Sequence, residues 1–184
     1  MAGTFWSGQA EPRRNFKFLL SIGPDLSTLI PVWVIKSVNL PEISVGESEH
    51  KFLNHTFYFP GTVTYNEISF TLVDAIEENI SNNILQQFGN SGYNIPSNPV
   101  AAQTSLMTKE ASVGALGDVR IEHLGSDSEG QTNKIIFVLN NAWIKKVQFG
   151  QSLAYNSEDL SEISVTLKYD FFTFEGGDPV GFTG

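Results

Sequence analysis

The sequence lacks cysteine and has little basic charge. Without a thiol, the 184-residue chain can form neither a disulfide framework nor a thiolate metal site. Its 11 Lys and Arg are outnumbered by 20 Asp and Glu, which gives a net charge of -9, and the adjacent basic pairs are limited to Arg13–Arg14 and Lys145–Lys146. Because counterion release needs clustered cations, this pattern argues against a nucleic-acid-binding protein.

Long apolar runs are also missing. No stretch approaches the 18 residues that a membrane-spanning helix needs, so we expect no membrane insertion. Met1 to Pro12 lacks the basic flank and apolar core of a signal peptide. Together with the absence of cysteine, this suits a protein made in a reducing cytoplasm.

Aromatic side chains, by contrast, are abundant. The chain has 14 Phe and a 41% hydrophobic content, which is ample material for one packed core. We predict one domain over residues 14–175, preceded by a polar arm at 1–13 and followed by a Gly-rich tail at 176–184.

Short apolar stretches bounded by turn residues predict a mainly β chain. The expected architecture is two packed antiparallel sheets, a sandwich or barrel. A turn is predicted at Pro60–Gly61, and a hairpin around Asn140–Asn141, a pair that tolerates positive φ. We predict strands at 15–22, 32–39, 49–59, 62–73, 119–124, 134–139, 142–149 and 162–174.

Two of these strands alternate cleanly between apolar and polar residues, which predicts one buried and one wetted face. In the first, Ile68, Phe70 and Leu72 share the apolar face. In the last, the apolar face consists of Ile163, Val165, Leu167, Tyr169 and Phe171.

One flanking α-helix is predicted at about residues 75–88. Asp74 and Glu77 have the spacing of a capping box, and Gly89–Asn90 is a typical helix end. Residues 90–102 are predicted as loop, and 105–116 fits either a short helix or a strand. The apolar stripe that would pack against a sheet is Ile80, Ile84, Leu85 and Phe88.

No group of residues predicts catalysis, a cofactor or a metal. His50 and His55 are five apart in one predicted strand, so their side chains should leave opposite faces. No nucleophile elbow, phosphate loop or zinc spacing occurs. We therefore expect a protein that is not an enzyme.

The segment Glu49 to Phe59 is unusual because it is apolar on both faces. In a single strand, Phe52 and Tyr58 would lie on one face and Leu53, Phe57 and Phe59 on the other. A two-faced apolar ribbon must be covered. Either the strand lies inside the sandwich, or a neighbouring subunit covers it.

The C-terminal stretch Asn141–Glu175 resembles the end of the T4-type tail tube proteins of contractile phages, where a strand and a polar turn precede a long strand. Residues Phe59–Phe88 resemble the family's strand-then-helix segment, and the opening at 15–24 and Val38–Val45 are similar in style. In the long strand, the matching positions are Glu162, Val165, Thr166, Leu167, Asp170 and Phe172.

The resemblance implies the phage tail tube fold, which is shared with the tubes of type VI secretion and other contractile injection systems. It implies hexameric rings that stack into a tube, in a virion assembled in the host cytoplasm. Implied partners are the tail sheath, baseplate and tail terminator proteins, with DNA or tape measure protein passing through the lumen unbound. The arm, residues 90–117 and the tail depart from the shorter members.

Within that frame, two sets of site residues are expected. The interface between subunits or rings would include Phe52, Leu53, Phe57, Tyr58 and Phe59. The polar strand faces could line the lumen, with candidate residues Glu67, Ser69, Thr71, Ser164, Thr166 and Asp170.

Three alternatives stay open from the sequence. The chain could be a baseplate protein that initiates the tube, which would stop at one ring. It could be the tube subunit of a contractile injection or type VI secretion system. More distantly, it could be a β-sandwich carbohydrate-binding module, although Trp6, Trp33 and Trp143 are scattered and do not form one platform.

Overall fold

A computed structural model describes residues 13–23, 30–93, 106–126, 132–150, 153–156 and 158–175. The predicted tail, nearly all of the predicted arm and much of the 90–117 segment lie outside these residues.

The described residues form ten strands and two α-helices, so the mainly β prediction is confirmed. A single turn of 3₁₀ helix, Val32–Val34, precedes β2 in place of the first part of the predicted strand. The helices are α1 (Ile80–Asn90) and α2 (Lys109–Leu116). The strands are β1 (Phe18–Ile22), β2 (Ile35–Val38), β3 (Ile43–Phe52), β4 (His55–Tyr65), β5 (Ile68–Val73), β6 (Val119–Ser126), β7 (Thr132–Asn140), β8 (Trp143–Phe149), β9 (Glu162–Lys168) and β10 (Phe171–Glu175).

The strands form two four-stranded sheets and a separate ribbon. The first sheet has the order β1-β6-β7-β10, and the second has the order β2-β5-β9-β8. Strands β3 and β4 pair only with each other. All of these pairings are antiparallel.

The core lies between the two four-stranded sheets. The apolar face predicted for β5 is buried at all three positions, and the face predicted for β9 is buried from Ile163 to Tyr169. From the first sheet, Leu20, Ile121 and Leu139 pack into the same core. Alternation therefore identified the buried faces correctly.

The predicted hairpin around Asn140–Asn141 is wrong. Asn141 does have a positive φ of 55°, but β7 pairs with β6 and β10, whereas β8 pairs with β9 in the second sheet. The chain therefore crosses from one sheet to the other at this point. A local turn signal could not distinguish the two outcomes.

The predicted last strand makes the same crossing. It divides into β9 in the second sheet and β10 in the first, and Asp170 N–H donates to Asn140 O across the two crossings at 3.0 Å. Phe171, predicted on the buried face, is instead exposed because it lies beyond the crossing.

The helix prediction was correct in place but wrong at its start. Helix α1 begins at Ile80, with no side chain capping its first turn, and Asp74 instead accepts a hydrogen bond from Ser81 Oγ at 3.1 Å. Residues Ile80 and Ile84 of the predicted stripe are buried in the core. The ambiguous 105–116 segment contains helix α2, which contacts α1 and β8.

Among the described residues, no helix has the length and apolarity needed to cross a membrane.

Candidate assembly surfaces

The β3–β4 ribbon is an exposed hairpin. No residue of either strand is buried, and large apolar side chains are open to solvent, including Phe52 at 61%, Leu53 at 86% and Phe57 at 51% exposed. The interpretation of this segment as an interior strand is therefore wrong for a single copy. The hairpin presents apolar surface that the rest of the described chain does not cover.

The hairpin turns at Leu53–Asn54, and not at Pro60–Gly61 as the sequence predicted. Leu53 adopts a positive φ of 52°, and Phe52 pairs with His55 across the turn. Pro60 and Gly61 lie within β4. A leucine is an unusual residue for such a turn, so the sequence carried no strong signal there.

Because the segment contains a turn, the predicted division into faces also changes. The pairs Phe52–His55, His50–Phe57 and Ser48–Phe59 place all three phenylalanines on one face. Tyr58 pairs with Glu49 on the other face. His50 and His55 thus share a face, contrary to the single-strand prediction.

A bulge near the middle of the hairpin interrupts the register between Val45 and Glu47. Gly46 and Gly61 face each other here, and a Cβ atom on Gly61 would lie 3.1 Å from the carbonyl carbon and oxygen of Gly46. Glycine permits this close approach of the two backbones, and the bulge explains how Pro60 is accommodated inside a strand.

The apolar surface of the hairpin changes sides at this bulge. The tip patch, which we define as Phe52, Phe57 and Phe59, lies on one face. The base patch, defined as Ile43, Val45 and Val63, lies on the opposite face, and all three of its side chains are exposed. A single flat partner could not cover both patches at once.

Four of the candidate lumen residues share one surface. Ser69 pairs with Thr166 and Thr71 pairs with Ser164, all on the outer face of the second sheet. They are half-buried, and Ser69 Oγ accepts a hydrogen bond from Asn39 Nδ2 at 2.9 Å. The four small hydroxyl side chains form one stretch of this face, and the exposed Lys146 and Gln148 of β8 lie beside them, paired with Thr166 and Ser164.

The two acidic candidates lie apart from this face. Glu67 is in the connection between β4 and β5, and its hydrogen bond from Lys145, followed by the charge of the same lysine, lowers the pKa of Glu67. Asp170 lies in the bend between β9 and β10. Both carboxylates are paired with lysines.

Asp170 is held by two donors. Lys109 Nζ donates to its two carboxylate oxygens at 2.8 and 2.6 Å, and Asn141 Nδ2 donates to Oδ2 at 2.8 Å. These hydrogen bonds, that of Lys109 first, lower the pKa of Asp170. The arrangement joins α2 to both crossings between the sheets, which indicates a structural role for this carboxylate.

A cleft opens where the edges of the two sheets meet. It has a volume of about 840 Å³ and lies between β1 of the first sheet and β2 of the second. Seven of its twelve lining residues are apolar. Sequence reasoning missed the cleft because strand pairing over a long sequence separation creates it.

Clusters of three or more His, Asp or Glu side chains able to hold a metal ion do not occur in the described ranges.

Neither a protein-family model nor a curated protein sequence matches the chain. Solved structures do. The sheath/tube terminator of an extracellular contractile injection system, PVC, in its extended state is 16% identical, with a TM-score of 0.54 over 90% of this chain and 98% of that chain. The sheath-tube complex of PVC is 15% identical, with a TM-score of 0.52 over 90% and 93%.

The tube-terminating cap of the anti-feeding prophage is 15% identical, with a TM-score of 0.53 over 96% of this chain and 100% of that chain. These values are too low in identity to transfer a function, but the fold is matched along nearly the whole length. The fold expected from the resemblance is confirmed: the chain has the fold of the tube proteins of contractile injection systems.

Proposed function

We propose that the chain is a structural tube subunit whose homohexameric rings stack into the inner tube of a contractile tail or injection system. The observation that carries the proposal is the apolar hairpin, whose tip lies outside the core of a chain that has the tube-protein fold. Covering this surface with other copies would remove the aggregation risk that it presents in one copy.

Ring stacking strengthens weak contacts. If one ring docks on another, six equivalent contacts form together. Each contact that has formed raises the effective concentration of the surfaces that make the next one. Ring closure within a layer also pairs sheet edges that a single copy leaves open. The proposed ring and tube thus stabilise each other.

The tip of the hairpin allows a clean test of assembly. We expect Leu53→Asp to abolish rings and tubes in negative-stain microscopy and sedimentation, because a buried unpaired carboxylate at the contact is costly. The substitution should leave the fold intact, because Leu53 has a positive φ that Asp tolerates better. Leu153→Asp, at a position that is 94% exposed outside the hairpin, is the matched control and should assemble normally.

Normal tubes from the Leu53→Asp variant would refute the assignment of the hairpin to the interface. Absence of assembly by the unaltered chain at every concentration would refute the tube proposal itself.

The outer face of the second sheet is our candidate for the lumen wall. Its four serine and threonine hydroxyls carry no charge, so DNA or a tape measure protein could slide past with no more than a weak contact at Lys146, which pairs with Thr166 on the same face. Charged groups add little at a distance, since the Debye length is about 8 Å at physiological salt. We include Glu67 and Asp170 as rim positions of the same proposal.

A Ser164→Lys/Thr166→Lys double variant tests the wall. If the face lines the lumen, assembled tubes of this variant should retain DNA that unaltered tubes release at physiological salt, because the lysines would offer phosphate contacts in every subunit. Equal retention by both tubes would place the wall elsewhere.

The partners proposed with the tube are the tail sheath, the baseplate and the tail terminator, and the proposed location is the virion. A second candidate is the tube of an injection machine that carries protein cargo, which the likeness to extracellular contractile injection systems favours. Nuclease-protected DNA inside purified particles would select the phage tail, and protein cargo would select the injection machine.

A further inference from the structure

We propose that His50 and His55 make assembly of this chain sensitive to pH, so that tubes form near neutral pH and dissociate in mild acid as the two imidazoles become charged. The inference rests on the proposed tube function. It concerns the regulation of assembly by protons and holds for any partner surface that covers the tip patch.

The register of the hairpin places both histidines among the phenylalanines of the tip patch. His50 pairs with Phe57 and His55 pairs with Phe52, and residues paired in antiparallel strands lie on the same face. The two imidazoles are diagonal neighbours, because these two pairs lie two residues apart along each strand. A surface that covers the tip patch therefore also covers both histidines.

No carboxylate shares this face of the tip. Over residues 48–59, the other side chains on it are one serine and the three phenylalanines. Glu47, Glu49 and Lys51 lie on the opposite face, where Glu49 Oε1 is 3.7 Å from Lys51 Nζ. All residues from 45 to 64 are exposed, so no element of the described chain buries the face. A charged imidazole here has no acidic partner on its own face.

Burial of such a face favours neutral histidine. The charge of histidine changes between about pH 5 and 8. A neutral imidazole can be covered at moderate cost, whereas an isolated buried charge is so unfavourable that the group gives up its proton instead. Assembly then requires the release of up to two protons per copy. By linkage, a step that releases protons becomes less favourable as the pH falls.

The direction of this effect separates it from the effect of the overall charge. The chain carries a net charge of -9 at pH 7. Acidification reduces that negative charge and with it the repulsion between copies, so overall charge alone predicts easier association at lower pH. The two histidines predict the opposite direction.

The test measures the lowest concentration at which tubes form, by sedimentation and negative-stain microscopy at pH 7.5 and 5.5, with a chelator present to exclude bound metal. For the unaltered chain we expect this concentration to rise on the order of 100-fold at pH 5.5, because two protons per copy are released over the range in which histidine titrates. Circular dichroism of the unassembled chain at both pH values records whether the fold persists.

The variants locate the effect. The double variant His50→Gln/His55→Gln is polar and uncharged at both pH values, and we expect its tubes to form at pH 5.5 as readily as at pH 7.5. Each single variant should show a rise of about tenfold, and these two carry the comparison if the double variant does not assemble. His123→Gln, in β6 and outside the hairpin, is the matched control and should keep the full rise.

Tubes that form equally well or better at pH 5.5 from the unaltered chain would overturn this inference and leave the tube function standing. So would a rise of the same size in the double variant, or one that accompanies loss of the fold. Failure of the unaltered chain to assemble at either pH would overturn the tube function and this inference with it.

Discussion

The sandwich and the hairpin follow opposite rules of burial within one chain. In the sandwich, alternate residues of β5 and β9 are sealed in a core where Leu72 and Leu167 have no exposure. In the hairpin, β3 and β4 pair over nine positions, yet every side chain is exposed or half-exposed. The sandwich buries its apolar side chains within one copy, whereas the apolar side chains of the hairpin need contacts that a single copy lacks.

The largest expected effect on folding comes from emptying the sandwich. Leu72→Ala should lower the free energy of unfolding by about 2–5 kcal/mol, because it removes a fully buried side chain and leaves a cavity. The same change in the hairpin, Leu53→Ala, should alter it by no more than about 0.5 kcal/mol. Urea unfolding of the unassembled chains measures both, and equal losses would erase the contrast between the two regions.

A smaller effect comes from straining the sandwich without emptying its core. Gly23 has a positive φ of 50°, and a Cβ atom there would collide with the backbone carbonyl oxygen of Leu116. Gly23→Ala should therefore cost more than about 1 kcal/mol. Gly114→Ala is the matched control, since Gly114 lies in α2 with open space around it, and this change should stabilise the fold by about 0.5–1 kcal/mol.

If thermal or urea unfolding showed both glycine variants equally destabilised, the close contact at Gly23 would not be the cause.

The smallest effect concerns the bend where the sandwich changes sheets. Folding lowers the pKa of Asp170, through Lys109 first, so its stabilising effect is present above the unfolded pKa of about 3.9 and is lost as pH falls through the lower folded value. Because the pair is exposed, the effect should be below about 1 kcal/mol at neutral pH. Asp170→Asn should be less stable than the unaltered chain at pH 7, with the difference shrinking in urea titrations below about pH 4.

A difference that is constant with pH would show that the charge of Asp170 does not support the bend. Glu158→Gln, at an exposed position outside this cluster of donors, serves as the control for a general loss of negative charge.

The sequence predicted best where the structure is local and periodic. The apolar positions of β5 and β9 alternate without interruption, and they are the buried positions. Three residues of the stripe predicted on α1 were correct for the same reason: Ile80 and Ile84 lie in the core and Phe88 packs against it, whereas Leu85 does not. These features depend on side-chain spacing alone, which a single sequence displays.

Long-range pairing set the limit of prediction. Asn140–Asn141 has the chemistry of a hairpin turn, but β7 and β8 find their partners in different sheets. The sequence does not show where β9 ends and β10 begins, because the alternation of apolar and polar residues continues through Tyr169. In the hairpin, Pro60–Gly61 has the residues of a turn but forms a bulge. The observed turn contains Leu53 at a positive φ, a position where glycine would have been the recognisable signal.

Prediction of the site residues was limited in the same way, by what local spacing shows and what long-range pairing decides. The aromatic residues of the hairpin were identified from the apolar pattern of the segment 49–59, although their grouping into a tip patch required the register of the two strands. The hydroxyl face of the second sheet followed from alternation. The cleft between β1 and β2 required the whole topology, since its two walls belong to different sheets.

Negative-stain microscopy of the purified, unaltered chain over a rising concentration series tests most directly whether other copies cover the hairpin. Our account predicts hollow rings of uniform diameter that stack into tubes as the concentration rises. A chain that remains a single folded copy throughout the series, with its hairpin still open to solvent, would contradict it.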